Sequence, residues 1–180
     1  PRGLSTKAMP ETFGSTMDEC DACQRFAALF DYSFLLRLRV EGVQAIEAVS
    51  NFCQRDFSAM ALGAVRYALY ASKNGQLISD LTVWKIGPET LDIMSGRAAD
   101  AQDIATALAT YDVNVRDLSD QTAVLALQGP ATHACLEQLV DGERISEIPS
   151  FAFRELNIVG VDCIVGRLGF TGLDGVEILC

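Results

Sequence analysis

At 180 residues, with 49% hydrophobic and 21% charged side chains, the chain has the composition of one globular domain, or of two lobes sharing a core, and is not a disordered segment. Its 14 basic and 24 acidic residues give a formal charge of -10, which repels a phosphate backbone and argues against nucleic acid as a partner. No apolar run approaches the roughly 18 residues that a membrane span requires.

Six cysteines, Cys20, Cys23, Cys53, Cys135, Cys163 and Cys180, fall mostly in helix-like or strand-like stretches, and no apolar secretory segment precedes them. The expectation is a reduced compartment and a soluble, acidic, cytoplasmic protein. The chain opens on Pro1 and closes at Cys180 inside an apolar, strand-like run, as a piece of a longer protein would.

Residues 1–16 are rich in Gly, Ser, Thr and Pro without a period and are expected to form a mobile arm, with a folded domain over 17–180. Met17 to Phe30 has a helical pattern. Ser33 to Val40 alternates, with Leu36, Leu38 and Val40 inward and Arg37 and Arg39 outward, as in a half-buried strand. Ala45, Ile46, Val49, Phe52 and Cys53 form the stripe of an amphipathic helix. A hairpin follows, then a short strand over Leu91 to Ser95 and a second helical stripe at Ala101, Ile104, Ala105, Leu108 and Tyr111. Thr122 to Leu127 reads as a strand covered on both faces. Gly129-Pro130 starts a helix with Pro at its first position. Leu156 to Leu168 and Val176 to Leu179 read as strands joined by a glycine-rich turn. The fold class is α+β, with mixed, largely antiparallel sheets and packed helices.

Asn74-Gly75 is a strong signal for a two-residue hairpin turn. With that turn, Leu69 faces Asp80 and Tyr67 faces Thr82. One surface then carries Tyr67, Leu69, Asp80, Thr82 and Trp84, and the other Arg66, Ala68, Tyr70, Ser79, Leu81 and Val83. Asp80 becomes a lone carboxylate among aromatic and apolar neighbours, with Tyr67 on a diagonal about 7–8 Å away. Such surroundings raise a carboxyl's pKa and make it a candidate proton handler, or an anchor for the nitrogen of a flat ligand. Two other readings stand beside this one. The acid can face solvent at the sheet rim, or the hairpin can slip by one residue and turn it to the other face.

Several segments carry a family resemblance. Gly63-Ala64-Val65-Arg66-Tyr67 together with Asn74-Gly75-Gln76-Leu77-Ile78-Ser79-Asp80-Leu81 resembles the glycine-cleavage T-protein family, the folate-dependent aminomethyltransferases. Phe30-Asp31-Tyr32-Ser33, Leu127-Gln128-Gly129-Pro130, Ser150-Phe151 through Arg154, and Gly169-Phe170-Thr171-Gly172-Leu173-Asp174-Gly175-Val176-Glu177 resemble further family segments in the same order.

The resemblance implies a multi-domain α+β fold that binds tetrahydrofolate, and a one-carbon transferase or a fragment of one. It implies that Asp80 is the catalytic residue, that Tyr67, Thr82, Trp84 and Phe170 line the folate site, and that Glu177 accepts the two parallel N–H donors of the pterin edge. A lipoyl carrier protein would bring the aminomethyl donor. An anionic folate tail would call for a nearby arginine, with Arg66 and Arg97 as candidates. The sequence departs from the family pattern at Ser79, Phe34, Phe170, Leu173 and Ser95, and the family's C-terminal half is absent. The alternative is a folate-binding, non-catalytic relative of the iron–sulfur cluster assembly factor in the same superfamily, or an interaction domain that keeps only the fold.

Other motifs have plainer readings. Cys20-x-x-Cys23 lacks a second ligand pair, so helix packing is favoured over metal. His133 and Glu137, four apart, read as a solvated pair. The acids between Arg97 and Asp112 read as the wet face of a helix. Gly169, Gly172 and Gly175 do not make a dinucleotide fingerprint.

Overall fold

The computed structural model describes residues 12–180, so the arm expected over 1–16 lies mostly outside the described residues. The described chain divides into two compact units. One runs continuously from Leu35 to Thr122, and the other combines the segment through Phe34 with Ala123–Cys180.

In the continuous unit, strands β2 (Leu36–Glu41), β3 (Val65–Ala71), β4 (Leu77–Gly87), β5 (Thr90–Ser95) and β6 (Asn114–Asp117) form an antiparallel sheet in the order β3-β4-β5-β2-β6. Helices α2 (Ala45–Cys53) and α3 (Asp100–Leu108) pack on one face. The alternation of β2 places Leu36, Leu38 and Val40 there, and they join Leu81, Val83, Leu91 and Ile93 against Ala48, Val49, Ile104 and Leu108. Burial of each such side chain contributes roughly 1.5–3 kcal/mol. α2 ends where Gln54 turns left-handed at φ 51 and its N–H bonds back to the last turn. β6 carries no sequence signal strong enough to announce it.

The other unit contains α1 (Thr16–Arg25), β1 (Ala28–Asp31), β7 (Val124–Gln128), α4 (Thr132–Leu136), β8 (Phe153–Ile158), β9 (Val161–Gly166) and β10 (Gly175–Leu179). Its sheet order is β1-β7-β10-β9-β8, again antiparallel. Leu156, Cys163, Val165, Val176 and Ile178 pack with Leu136, Val140, Ile145 and Ile148 in a second core.

The helix expected from Met17 to Phe30 stops at Arg25. Ser15 caps its start, with its side chain accepting from the Asp18 N–H. Ala28–Asp31 is instead pulled into the sheet by β7, a long-range pairing that local pattern cannot show. The segment Leu156–Leu168 is a hairpin and not one strand, with Val159 and Gly160 both at positive φ in its turn. Gly129-Pro130 precedes α4 instead of opening it. Gly129 sits at φ +129, and a Cβ there would lie 2.5 Å from the carbonyl oxygens of Cys23 and Phe26, so only glycine lets the β7–α4 turn meet the end of α1. No helix among the described residues is long and apolar enough to cross a membrane.

Candidate functional site

The hairpin of β3 and β4 has the expected register at the chemically interesting positions: Tyr67 opposite Thr82, Leu69 opposite Asp80, and Val65 opposite Trp84. It gets there by a different turn. Ser72 and Gln76 close a three-residue loop, with the Gly75 N–H on the Ser72 carbonyl at 2.8 Å and Gly75 at φ +78, while Asn74 is not among the positive-φ residues. The register then shifts by one between Tyr70 and Ala71, leaving Ile78 unopposed and restoring the pairing expected of a two-residue turn.

Tyr67, Leu69, Asp80, Thr82 and Trp84 therefore share one face, opposite the helices. Trp84 is fully buried, Thr82 is half-buried and accepts the indole N–H at 2.9 Å, and Tyr67 is 45% exposed. Asp80 is exposed, which corrects the expectation of a desolvated carboxylate. The reason lies in the sheet: β5 ends where Ser95 pairs with Leu81, so Asp80 is one residue beyond the last three-strand pairing and has only Leu69 as a cross-strand neighbour. Partial burial, and then the nearby Asp80 carboxylate acting by charge and hydrogen bonding, push the Tyr67 phenol above its ordinary value. Tyr67 also has its carbonyl, on the outermost strand, covered by the Arg55 guanidinium.

Ser79, on the opposite face from Asp80, donates at 2.6 Å to Asp100 at the start of α3, as does Ser95. Asp100 is fully buried and also accepts from Arg97 at 2.5 Å, so it is no part of a wet helix face. Arg97 is held by Asp100 and Asp103, and Arg66 bonds the Val65 carbonyl. A further polar cluster lies on the Tyr67 face. Asp92, with 0% exposure, accepts from Nε and Nη2 of both Arg37 and Arg39 at 2.7–2.9 Å. The strand alternation that sets both arginines on the other side from Leu36 and Leu38 also sets them beside Asp92 of β5, so this second face is covered as well.

In the other unit Glu177 lies on β10, between Ala126 of β7 and Gly166 of β9, and is 8% exposed. Burial pushes its carboxyl up to about 7, and no hydrogen bond to that carboxyl is found among the described residues. The row Phe30–Ala126–Glu177 shares a face, and Phe30, Tyr32, Phe34 and Phe170 form an aromatic cluster on that side. Tyr32 lies 4.8 Å from Phe170 and 5.5 Å from Phe34, centroid to centroid, and Phe30 lies 5.3 Å from Phe170 edge to face. Burial, and then the Glu177 charge, push the Tyr32 phenol up to about 12.

The turn carrying Phe170 is tied down by buried Gln128, whose Nε2 donates to the Leu168 carbonyl at 3.0 Å and whose Oε1 accepts from Thr171 at 3.2 Å. The family resemblance named Glu177 and Phe170, but neither it nor the local pattern named Phe30, Tyr32 and Phe34 as ring neighbours. Their spacing of two is visible in the sequence, but their meeting with Phe170 is not. A buried acid beside a wall of rings suits a flat heterocycle that offers paired N–H donors.

The remaining motifs do not assemble sites. Cys23 is buried with its thiol toward the Gln128 carbonyl, and Cys20 is exposed. His133 does not pair with Glu137: its Nε2 is buried without a partner, while Glu137 accepts from Ser146. No cluster of three metal-ligand side chains occurs among the described residues.

Two antiparallel sheets with packed helices make this an α+β protein. Residues 5–180 match the GCVT N-terminal domain, and the chain belongs to that family. It is 32% identical over 174 residues to an aminomethyltransferase of Thermotoga maritima, covering 95% of this chain and 48% of that protein. It is 35% identical over 175 residues to one of Caldanaerobacter subterraneus, covering 95% and 46%. The chain thus spans about half the length of the curated relatives it matches.

Among solved structures, the glycine cleavage system aminomethyltransferase T from Bartonella henselae superposes with a TM-score of 0.80 at 27% identity, over 90% of this chain and 44% of that one. A chain of the heterotetrameric sarcosine oxidase from Corynebacterium sp. U-96 shares the fold, with a TM-score of 0.66 at 22% identity, over 87% of this chain and 76% of that one.

Proposed function

We propose that this chain is the tetrahydrofolate-binding part of a cytoplasmic aminomethyltransferase, with residues 17–180 as its folate-binding domain and a lipoyl carrier protein as the source of the one-carbon unit. The observation that carries the reading is Glu177: a buried carboxyl, without a donor among the described residues, beside four aromatic rings. Two parallel N–H groups on a pterin edge supply what that carboxylate lacks, and the rings offer it flat apolar contact.

In this reading Glu177 and Phe170 hold the pterin. On the other unit, taken by itself, Asp80 is the catalytic residue, with Tyr67, Thr82 and Trp84 on the same face of its sheet. Folate supplies the one-carbon chemistry, and the protein supplies placement. A hydrogen bond to a charged group is worth roughly 1.5–3 kcal/mol. Glu177→Gln is therefore expected to weaken tetrahydrofolate binding about tenfold to a hundredfold, read by titration calorimetry. Asp80→Asn is expected to retain binding and lose methylene transfer from an aminomethylated carrier. A folded protein that gives no heat with tetrahydrofolate overturns the reading.

A further inference from the structure

The pairing of β10 with β9 runs Glu177 to Gly166, Ile178 to Val165 and Leu179 to Ile164. One step further it sets Cys180 opposite Cys163. On its other side Cys180 is held in line with β10 by Ala123, with which it exchanges both backbone hydrogen bonds at 3.0 Å. Residues directly opposite share a face, and the two sulfurs are 3.2 Å apart. Opposed positions in an antiparallel pair have Cα atoms about 4.5–5.5 Å apart, within the span a disulfide accepts. Both thiols are free, and Cys163 is buried. Burial, and then the adjoining Cys180, raise Cys163 to about 12, which disfavours its thiolate as the first attacker.

We propose that Cys163 and Cys180 form a dithiol site that takes small-molecule disulfides of the glutathione type and closes reversibly to a cross-strand bond between β9 and β10. The Cys180 thiolate attacks one sulfur of the small disulfide, whose S–S bond breaks and releases one thiol. Cys163 then loses its proton to solvent, attacks the Cys180 sulfur and expels the second thiol. Each cysteine sulfur is oxidised by one electron, and the small disulfide is reduced to two thiols. The bond would tie down the strand that carries Glu177, three residues away and on the opposite face, without contacting its carboxyl. The inference stands independently of the folate reading.

The test is to equilibrate the native protein with mixtures of oxidised and reduced glutathione, quench with an alkylating agent, and map the products by mass spectrometry. The expected product has lost two hydrogens, joins the peptides of Cys163 and Cys180, and reverts with dithiothreitol. Cys163→Ser is expected to stop at a glutathione adduct on Cys180. Cys180→Ser is expected to leave Cys163 unmodified. Separate alkylation of both thiols under excess oxidised glutathione overturns the proposal. So does closure with any other cysteine, or closure only in denaturant.

Discussion

Glu177 and Asp92 are two buried acids in different predicaments. Asp92 is supplied with donors by two arginines, whereas Glu177 has none among the described residues. The fold therefore favours protonated Glu177, whose carboxyl titrates at about 7 against an ordinary 4.5. Stability from this group is intact below the unfolded value and is lost as pH rises from there through about 7, a decline of up to about 3 kcal/mol. Urea unfolding at pH 5 and pH 8 should show it, and Glu177→Gln should flatten that difference. An unchanged pH dependence in the variant would remove the assignment. The same carboxyl should release a proton when paired N–H donors bind it, so calorimetry in buffers of different ionisation heat should detect proton release with tetrahydrofolate near pH 7. At Asp92, truncation to Ala leaves Arg37 buried and unpaired and should cost about 3–5 kcal/mol in chemical denaturation. Replacing Asp92 and Arg37 together by apolar residues should cost clearly less.

At the scale of elements, the β3–β4 hairpin shows how a register survives a change of turn. The three-residue loop alone would offset every side chain beyond it, and the bulge at Ile78 cancels that offset before Asp80 is reached. Gly75 provides the left-handed residue of the loop, and a Cβ there would meet nothing within 4 Å. Gly75→Ala should therefore cost about 1–2 kcal/mol through backbone conformation alone, while Asn74→Ala should be close to neutral. Equal losses at both positions in thermal unfolding would point to the two-residue turn instead. In the other unit the Gln128 side chain joins the end of β7 to the turn bearing Phe170, so the Gln-Gly-Pro segment fixes a loop beside Glu177.

At the scale of the whole molecule, the chain leaves one sheet after β1, builds the second sheet in a single stretch from Leu35 to Thr122, and returns to the first. Ligand binding to the folded state alone adds stability by mass action. Tetrahydrofolate at 100 times its dissociation constant should add about 2.7 kcal/mol and raise Tm by roughly 5–10 °C at this chain length. Calorimetric scans with and without the ligand measure the shift, and Glu177→Gln at the same ligand concentration should lose most of it.

The sequence by itself determined the class of fold, the stripes of α2 and α3, the inward residues of β2, and the hairpin pairing that puts Tyr67 and Asp80 on one face. The stripes and inward residues follow from periodicities of 3.6 and 2, while the hairpin pairing agrees because the bulge at Ile78 offsets a turn different from the one Asn74-Gly75 signals. The motifs also pointed to Glu177 and Phe170 through family likeness. What the tertiary structure alone decided depends on partners distant in the chain. Ala28–Asp31 became a strand because β7, nearly a hundred residues later, pairs with it. Arg37 became buried because Asp92 lies across the sheet, and Asp80 became exposed because β5 ends one pairing short of it. Whether an acid is desolvated or a thiol meets its partner depends on where strands stop and which neighbours cover them, and local pattern does not contain that information.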